Sequence, residues 1–376
     1  MVRLDKKRST LVSYIEINLA ALRNNLRVIR NYLPSSVKCL AVVKADAYGH
    51  GAVQTLRLAL EEGYTSAAVA RVEEGEELRK AGFTCPIYTL GLPLPADMPK
   101  GIQNNLIMPV DDTVDLNALE KAAADQEKKI EVMLAVDTGM NRIGIHPEDV
   151  KGFVEKVQTY PHLHLHGTFT HMATADFLGK GLAMRQLERF RKALQDMPVD
   201  GDFVISAANS AGIIDIPQSW YNLARPGIIL YGPQPSDVMT NHLDLRYALR
   251  LVSHVTHVQT LHTGEAIGYG GTYTADREIR TATVPIGYAD GYSRDLSNKG
   301  FVLIGGKRRP IIGRICMDQL MCAVDDTVQP GDEVVLIGNQ KDEMISVDEV
   351  ARQINTIPHE IMCDLKRVSR IYVDEK

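Results

Sequence analysis

The 376-residue chain lacks the long apolar runs and the excess of basic residues that mark several large classes of protein. No stretch approaches the roughly 18 consecutive apolar residues that a membrane-spanning helix needs. No apolar segment follows the basic start MVRLDKKRST, so a secretory signal is not predicted either. With a net charge of −5 and scattered Lys and Arg, we expect no binding to nucleic acid or to a membrane surface.

Paired cysteines are also missing from the sequence. The five cysteines are widely spaced and form no CxxC pair. This pattern predicts neither a zinc site nor a disulfide framework. We therefore expect reduced thiols in a cytoplasmic protein.

Between residues 37 and 231, short β-branched runs alternate with longer segments whose apolar residues recur at helical spacing. Helix-like stretches such as VEEGEELRKAG and NALEKAAADQEKK separate most of the runs. Eight strand-and-helix units favour an α/β fold with a closed parallel (β/α)8 barrel over an open sheet. The predicted strands cover residues 37–44, 66–71, 86–91, 105–109, 130–137, 163–171, 203–208 and 222–231.

After about residue 244 the chain becomes β-rich, with Gly- and Asp-containing turns and little helical pattern. A chain of this length exceeds what one hydrophobic core usually serves, so two domains are expected. We predict a barrel over residues 13–243 and a mostly β C-terminal domain over residues 244–376, with residues 1–12 packing against the latter. In SVDEVARQI, the spacing of Ser346 and Glu349 predicts a capped helix.

Three histidines, His162, His164 and His166, alternate along one predicted strand and so share a face. Some metal sites use this spacing. No cluster of cysteines or carboxylates accompanies them. We predict a solvent-facing or hydrogen-bonded set at the N-terminal end of the barrel, and no metal site.

The run AVVKADAYGHG at residues 41–51 places Lys44 at the end of the first predicted barrel strand. Barrel enzymes carry their chemistry at the C-terminal ends of their strands. A partly desolvated lysine there can have its pKa lowered enough to attack an aldehyde. Its position alone fits a surface lysine at a strand exit equally well.

The residues around Lys44 resemble the cofactor-lysine signature of the alanine racemase family. Further matching motifs follow in the order of that family: DTGMNR, THMATAD, ANSAG, RPGIILYG, GYGGTYTA, IGYADGY and GRICMD. The resemblance spans nearly the whole chain. It implies an isomerase that interconverts L- and D-alanine for peptidoglycan synthesis. It also implies a barrel that binds pyridoxal 5'-phosphate, a C-terminal β domain and a head-to-tail homodimer with shared active sites.

The resemblance also assigns roles to residues of this sequence. Lys44 would hold the cofactor as a Schiff base and act as one catalytic base, and Tyr269 of the second chain would be the opposite base. Arg225 would face the pyridine nitrogen with support from His171. The other implied cofactor contacts are Tyr48, Asn209, Ser210, Gly227, Ile228 and His359. The implied substrate contacts are Arg142 and, from the second chain, Tyr288, Met317 and Asp318.

Three positions depart from the family pattern. Ala135 replaces a lysine that many relatives carbamylate to hold the arginine matched by Arg142. We therefore predict another anion beside Arg142, either bound chloride or a neighbouring acid, and we favour chloride. Ser206 replaces a histidine, and a partner of Arg225 is thereby lost. His359 replaces a phosphate-contacting tyrosine beside the substrate pocket. A substrate larger than alanine, such as serine, therefore stays open.

The chemistry explains why these residue types are needed. Two bases on opposite faces of a fixed cofactor move the α-proton without turning the substrate over. Arg225 only donates hydrogen bonds, so it disfavours a protonated ring and is expected to suppress transamination and decarboxylation.

The alternatives are distinguished by single features of the sequence. A basic-amino-acid decarboxylase would carry a carboxylate in place of Arg225. A non-catalytic cofactor-binding regulator would consist of the barrel alone, whereas this chain retains the β domain with Tyr269. A broad-specificity racemase and a serine racemase, or one of mixed alanine and serine specificity, are the remaining alternatives.

Overall fold

The computed structural model describes residues 11–374. Its first strand, β1 (Tyr14–Asn18), lies outside the barrel. The barrel strands follow in chain order: β2 (Lys38–Val42), β3 (Ser66–Val69), β4 (Ile87–Thr89), β5 (Met108–Val110), β6 (Ile130–Ala135), β7 (Leu163–Phe169), β8 (Val204–Ser206) and β9 (Leu223–Ala224).

Two four-stranded parallel sheets close into this barrel. One has the order β4-β3-β2-β9 and the other the order β5-β6-β7-β8. A parallel bridge between Tyr88 and Ile107 joins β4 to the residue before β5. At the other seam, the Arg225 amide donates to the Ala208 carbonyl at 3.0 Å. The predicted α/β barrel is confirmed, with strands shorter than predicted.

Helices connect the barrel strands and bury one apolar face each. In α1 (Leu19–Tyr32), Asn18 caps the N-terminus by accepting from the Ala21 amide at 3.0 Å, and the buried face includes Leu22 and Leu26. The other helices of this region are α2 (Ala52–Glu61), α3 (Val72–Lys80), α4 (Met98–Gln103), α5 (Leu116–Ala124), α6 (Val150–Gln158), α7 (Gly181–Ala193) and α8 (Ser210–Asp215).

The last predicted barrel strand, residues 222–231, is mostly not a strand. Only Leu223–Ala224 pairs in the sheet, and Ile228–Leu230 forms a 3-10 turn. Pro226 has no amide hydrogen to continue a parallel ladder, so the strand ends before it. The short strand leaves Arg225, Gly227 and Ile228 at the mouth of the barrel.

The C-terminal region is mostly β structure, as predicted. The strands are β10 (Leu249–His254), β11 (His257–Leu261), β12 (Ala266–Ile267), β13 (Tyr273–Thr274), β14 (Ile279–Val284), β15 (Phe301–Ile304), β16 (Lys307–Pro310), β17 (Leu320–Val324), β18 (Glu333–Gln340), β19 (Glu343–Ile345) and β20 (Arg370–Val373). One sheet has the order β16-β15-β18-β10-β1-β20 with β19 beside β18, and a second has the order β11-β14-β17.

Strand β1 belongs to this C-terminal sheet, although the predicted division assigns residues 14–18 to the barrel. It runs antiparallel to β10 and parallel to β20. Leu11 packs beside it against Tyr14, Val252 and Ile371. Residues 1–10, predicted to pack against the same domain, lie outside the described residues. The division at residues 243 and 244 stays a prediction.

Two helices lie between β19 and β20 in the chain, α9 (Val347–Gln353) and α10 (Pro358–Asp364). The predicted cap at Ser346 is present, because its hydroxyl accepts from the Glu349 amide at 3.1 Å. The Glu349 carboxylate accepts instead from Arg308, at 2.6 and 2.9 Å. Helix α10 brings His359 to the mouth of the barrel.

The three alternating histidines form the hydrogen-bonded set that the sequence predicts. His162 Nδ1 lies 2.6 Å from Glu120, and His164 Nδ1 lies 2.7 Å from Glu131. His166 lies 3.4 Å from the same Glu131 carboxylate. Within residues 11–374, no group of His, Cys, Asp or Glu side chains is arranged to hold a metal ion. Over that same range, no helix has both the length and the apolar character of a membrane span.

Candidate active site

A cavity of about 640 Å³ opens at the C-terminal ends of the barrel strands. Its walls come from segments that follow β2, β3, β4, β6, β7, β8 and β9, with Ile357 and His359 added from the C-terminal region. The structure thus brings together every predicted site residue of the barrel and His359: Lys44, Tyr48, Arg142, His171, Asn209, Ser210, Arg225, Gly227, Ile228 and His359.

Lys44 begins a tight turn at the end of β2, which we call the lysine turn (residues 44–49). Its residues Ala45 to Tyr48 all have positive φ angles, between 50° and 55°, and Gly49 follows with a φ of 82°. This is one turn of left-handed helix made almost entirely of residues with a Cβ atom. Such a conformation costs about 1–2 kcal/mol per residue, so the surroundings must hold it in place.

Glu74, on helix α3 after β3, holds the lysine turn in place. One carboxylate oxygen accepts from the Ala45 amide at 2.6 Å. The other accepts from the amides of Ala70 and Arg71, at 2.6 and 3.0 Å, at the end of β3. Glu74 therefore ties the residue after Lys44 to the neighbouring barrel strand. Sequence reasoning missed this residue, although a glutamate three residues into a helix after a strand is a recognisable capping signal.

His50 supports the same turn through the backbone carbonyls of two of its residues. Its Nδ1 lies 3.1 Å from the Ala47 carbonyl and 3.0 Å from the Tyr48 carbonyl, where it donates. The ring stacks on Tyr231 at 4.5 Å between centroids. Burial lowers the pKa of His50 to about 4, so the imidazole is neutral and has a structural role.

The electrostatics of the cavity favour a neutral amine on Lys44. Burial lowers its pKa, and the positive charges of Arg142 and Arg225 lower it further, while Glu74 acts in the opposite direction. A neutral amine is the nucleophilic form of lysine. The cavity therefore contains a partly buried lysine whose pKa is lowered by burial and by two nearby guanidinium groups.

Hydroxyl and backbone groups form a cradle on one side of this lysine. The Gly227 amide donates to the Ser210 hydroxyl at 2.9 Å. A Cβ atom on Gly227 would lie 2.9 Å from the Tyr48 hydroxyl, so only glycine leaves this space open. Asn209 caps α8 by accepting from the Gly212 amide at 2.9 Å, which fixes the position of Ser210.

His359 lies next to the cradle, with its ring centroid 5.6 Å from that of Tyr48. Its Nδ1 is buried and has no hydrogen-bond partner among the described residues. Burial, followed by the charge of Lys44, lowers the pKa of His359 to about 4. His359 therefore lines the cavity with a neutral imidazole whose buried Nδ1 has no partner among the described residues.

Arg225 is buried and makes its hydrogen bonds to neutral acceptors. It donates to the Ser206 hydroxyl at 2.6 Å and to the Thr170 carbonyl at 2.8 Å, and it lies 3.5 Å from His171 Nδ1. The Ser206 hydroxyl in turn donates to the Leu223 carbonyl at 2.6 Å. Replacement of the histidine was expected to cost Arg225 a partner. The Ser206 hydroxyl instead accepts a hydrogen bond from Arg225 in its place.

The charge state of this arrangement follows from burial. Burial and Arg142 lower the pKa of Arg225 to about 10, which still leaves it charged at neutral pH. Burial and the nearby cations lower the pKa of His171 to about 3, so His171 is neutral. Arg225 is therefore the buried cation of this pair.

Arg142 lies exposed at the mouth of the cavity, near the buried Ala135. Among residues 11–374, no acceptor lies within hydrogen-bonding distance of its guanidinium group. One Asp137 oxygen already accepts from the amides of Gly139, Met140 and Asn141. The guanidinium therefore has room for an anion from solution.

The predicted residues of the second chain do not line this cavity. Tyr269 is 70% exposed on the C-terminal region, and Tyr288 and Met317 are also exposed. Asp318 forms an ion pair with Arg367 at 2.8 Å. Within one chain, Lys44 and the predicted opposite base are therefore not brought together.

The fold and the cavity define a class of protein, a barrel enzyme whose site is built around a partly desolvated lysine. Comparison with known proteins gives the family, because models of the alanine racemase N-terminal and C-terminal domains match residues 17–235 and 248–372. This chain belongs to the alanine racemase family. The predicted family and the predicted isomerase class are confirmed.

Individual relatives are similar over nearly their full length. Alanine racemase of Halothermothrix orenii is 40% identical, over 97% of this chain and 98% of that protein. The solved alanine racemase of Clostridium difficile has a TM-score of 0.91 at 37% identity, covering 97% of this chain and 96% of the other. Alanine racemase of Bacillus anthracis, solved with bound L-Ala-P, has a TM-score of 0.90 at 37% identity, covering 96% and 95%. These relatives do not favour the serine alternative.

Proposed function

We propose that this chain interconverts L- and D-alanine and supplies D-alanine for peptidoglycan, with pyridoxal 5'-phosphate attached at Lys44. The observation that carries the proposal is the Lys44 amine, which lies in the cavity with a lowered pKa and beside Arg142 and Arg225. A lowered pKa favours the neutral form of the amine, which is the form that attaches an aldehyde cofactor covalently.

The residues around Lys44 fit such a cofactor. Tyr48, Ser210 and the Gly227 backbone would hold its phosphate, because hydroxyls and an open backbone suit an anion. The unpartnered Nδ1 of His359 would donate to the same group. Arg225 would face the ring nitrogen, with Asn209, Ile228 and His171 completing the walls. When bound, the cofactor supplies an electron sink for the charge left after the α-proton is removed.

The chain's own groups then move the proton and select the reaction. Lys44 Nζ holds the α-proton on one face of the substrate, and the Tyr269 hydroxyl of a second chain holds it on the other. Arg225 keeps its charge and only donates hydrogen bonds, so it disfavours protonation of the atom that it faces. A ring that stays unprotonated is a weaker electron sink, and a weaker sink disfavours transamination and decarboxylation.

A homodimer would bring the two bases together. Tyr269, Tyr288 and Met317 expose large aromatic and thioether side chains, which are common at protein interfaces. We propose a head-to-tail dimer in which these residues and Asp318 enter the partner's barrel. Each site would then contain residues from both chains.

An anion completes the site at Arg142. Ala135 has no charge to offer, and the described residues leave the guanidinium without an acceptor. We propose that chloride binds there and orients Arg142 toward the substrate carboxylate.

All five cysteines are free thiols, so we also propose a cytoplasmic location, where thiols stay reduced.

A racemisation assay on purified protein with pyridoxal 5'-phosphate tests the function. We expect conversion of L-alanine to D-alanine and a visible absorbance band from the attached cofactor. Lys44→Ala should lose both, whereas Lys38→Ala, at the exposed start of the same strand, should lose neither. Wild-type protein that binds the cofactor but does not racemise alanine would overturn the proposal. L-Serine, assayed in parallel, should be the poorer substrate.

A further inference from the structure

The lysine turn contacts the C-terminal region as well as the barrel. Arg370, on β20, forms an ion pair with Asp46 inside the turn. The same Arg370 nitrogen donates to the Gly49 carbonyl at 3.1 Å. The Asp46 carboxylate also accepts from the Ala52 amide at 2.7 Å, at the start of α2. Arg370 therefore holds the turn at its second residue after Lys44 and at its end.

The C-terminal region also lies very close to Gly49, which ends the turn, and to Gly51 just after it. A Cβ atom on Gly49 would lie 2.5 Å from the Met362 carbonyl oxygen of α10. A Cβ atom on Gly51 would lie 2.0 Å from the Tyr372 hydroxyl, two residues beyond Arg370 on β20. Both glycines have positive φ angles, 82° and 95°. The path of the chain after Lys44 is therefore shaped by two elements of the C-terminal region.

We infer that Arg370 is a positioning residue for Lys44: through Asp46 and the Gly49 carbonyl it holds the left-handed turn that aims the Lys44 amine into the cavity. The inference rests on the proposed function, in which that amine carries the cofactor. It gives the C-terminal region a part in the chemistry of its own chain's barrel, separate from the proposed contribution of Tyr269 to the partner.

The ion pair is poorly suited to a purely stabilising role. The side chains of Arg370 and Asp46 are 31% and 48% exposed, and exposed ion pairs contribute little to folding stability. A left-handed turn, however, persists only when its neighbours hold it. Removing the pair should therefore change the orientation and environment of Lys44 more than it changes the stability of the protein.

The test uses Asp46→Asn, Arg370→Gln and the double variant, with Arg352→Gln as the matched control. Arg352, on α9, pairs at 2.9 Å with Asp237, so it also joins the C-terminal region to a distant segment through an arginine and an aspartate. Three quantities are measured on the full-length apo-protein. They are the rate of cofactor attachment by visible absorbance, the pH dependence of Lys44 acetylation by acetic anhydride, read by peptide mass spectrometry, and the thermal midpoint.

We expect each single variant to slow cofactor attachment by roughly tenfold or more, since small misplacements of a reacting group are costly. The acetylation midpoint of Lys44 should rise toward 10.5, the ordinary value, as the turn opens to water. The double variant should lose less than the sum of the two single effects, because both substitutions break the shared Arg370–Asp46 ion pair. Arg370→Lys, which keeps the charge, should lie closer to wild type than Arg370→Gln.

Wild-type rates and acetylation midpoints in the single variants would overturn the inference. Effects of the two single variants on the attachment rate that add in the double variant would also overturn it. The same holds if the attachment rate falls only in variants whose thermal midpoint drops further than that of Arg352→Gln. Acetylation of Lys44 needs no cofactor. If wild-type protein fails to attach pyridoxal 5'-phosphate, the proposed function fails while the acetylation comparison still decides the role of Arg370.

Discussion

Ser206→Ala removes the hydroxyl that joins Arg225 to the Leu223 carbonyl. Both hydrogen bonds of this hydroxyl are 2.6 Å long, and the site is fully buried. The substitution leaves a guanidinium N–H and a carbonyl oxygen without that partner, although Arg225 keeps the Thr170 carbonyl at 2.8 Å. A buried polar group deprived of its partner costs about 1–3 kcal/mol, so we expect a loss of that size. A void of about 10 Å³ beside Arg225 is too small to hold more than one compensating water.

Ser66→Ala is the matched control for this substitution. Ser66 is also a buried serine of a barrel strand, but its hydroxyl has no hydrogen-bond partner among the described residues. Its removal should be neutral or slightly stabilising. Thermal unfolding followed by the fluorescence of Trp220, the one tryptophan in the sequence, reports on the barrel. Ser206→Ala should melt about 2–4 °C lower for each kcal/mol lost. Equal midpoints for the two variants would refute the reasoning.

Three further predictions concern the walls of the cavity. Gly227→Ala places a methyl group 2.9 Å from the Tyr48 hydroxyl and so fills part of the cradle. The Kd for pyridoxal 5'-phosphate, measured by absorbance, should therefore rise. An unchanged Kd would argue against the cradle. Replacing chloride by gluconate should lower the racemase activity of the wild type. Ala135→Lys restores the lysine that relatives carbamylate, so the activity of this variant should not depend on chloride. Equal sensitivity of the two proteins would count against a chloride site. Between pH 6.5 and about 4, the unfolded chain binds a proton that buried His359 does not, so the free energy of unfolding falls as the pH falls. His359→Gln should weaken that dependence in urea titrations of the apo-protein, and an unaltered dependence would contradict the burial of a neutral ring.

The position of Lys44 could be predicted from the sequence, but the shape of the turn that carries it could not. The apolar run before Lys44 indicates a buried strand, and a barrel strand ends at its catalytic face. The following residues, Ala45 to Tyr48, have no intrinsic preference for left-handed angles. Their conformation depends on Glu74 and Arg370, which approach from other elements. Local sequence patterns do not contain such contacts.

Pairings between distant strands were hidden for the same reason. Strand β1 has the apolar character of a buried strand, but nothing in its residues indicates that β10 and β20 are its neighbours. Ser206 is a second example. Its sequence position showed only that a histidine was replaced, whereas the structure shows a hydroxyl that accepts from Arg225. Side-chain roles of this kind require the geometry of three separate barrel strands.

The central claim is that each active site combines Lys44 of one chain with Tyr269 of the other, and subunit mixing tests it most directly. Lys44→Ala and Tyr269→Phe proteins are each expected to be inactive as homodimers. In a hybrid dimer, the Lys44 of the Tyr269→Phe chain meets the Tyr269 of the Lys44→Ala chain, which restores one site of two. After the subunits are unfolded and refolded together in equal amounts, half of the dimers should be hybrids, so activity should return to about a quarter of the wild-type value. A mixture that stays inactive although hybrids form would contradict the claim.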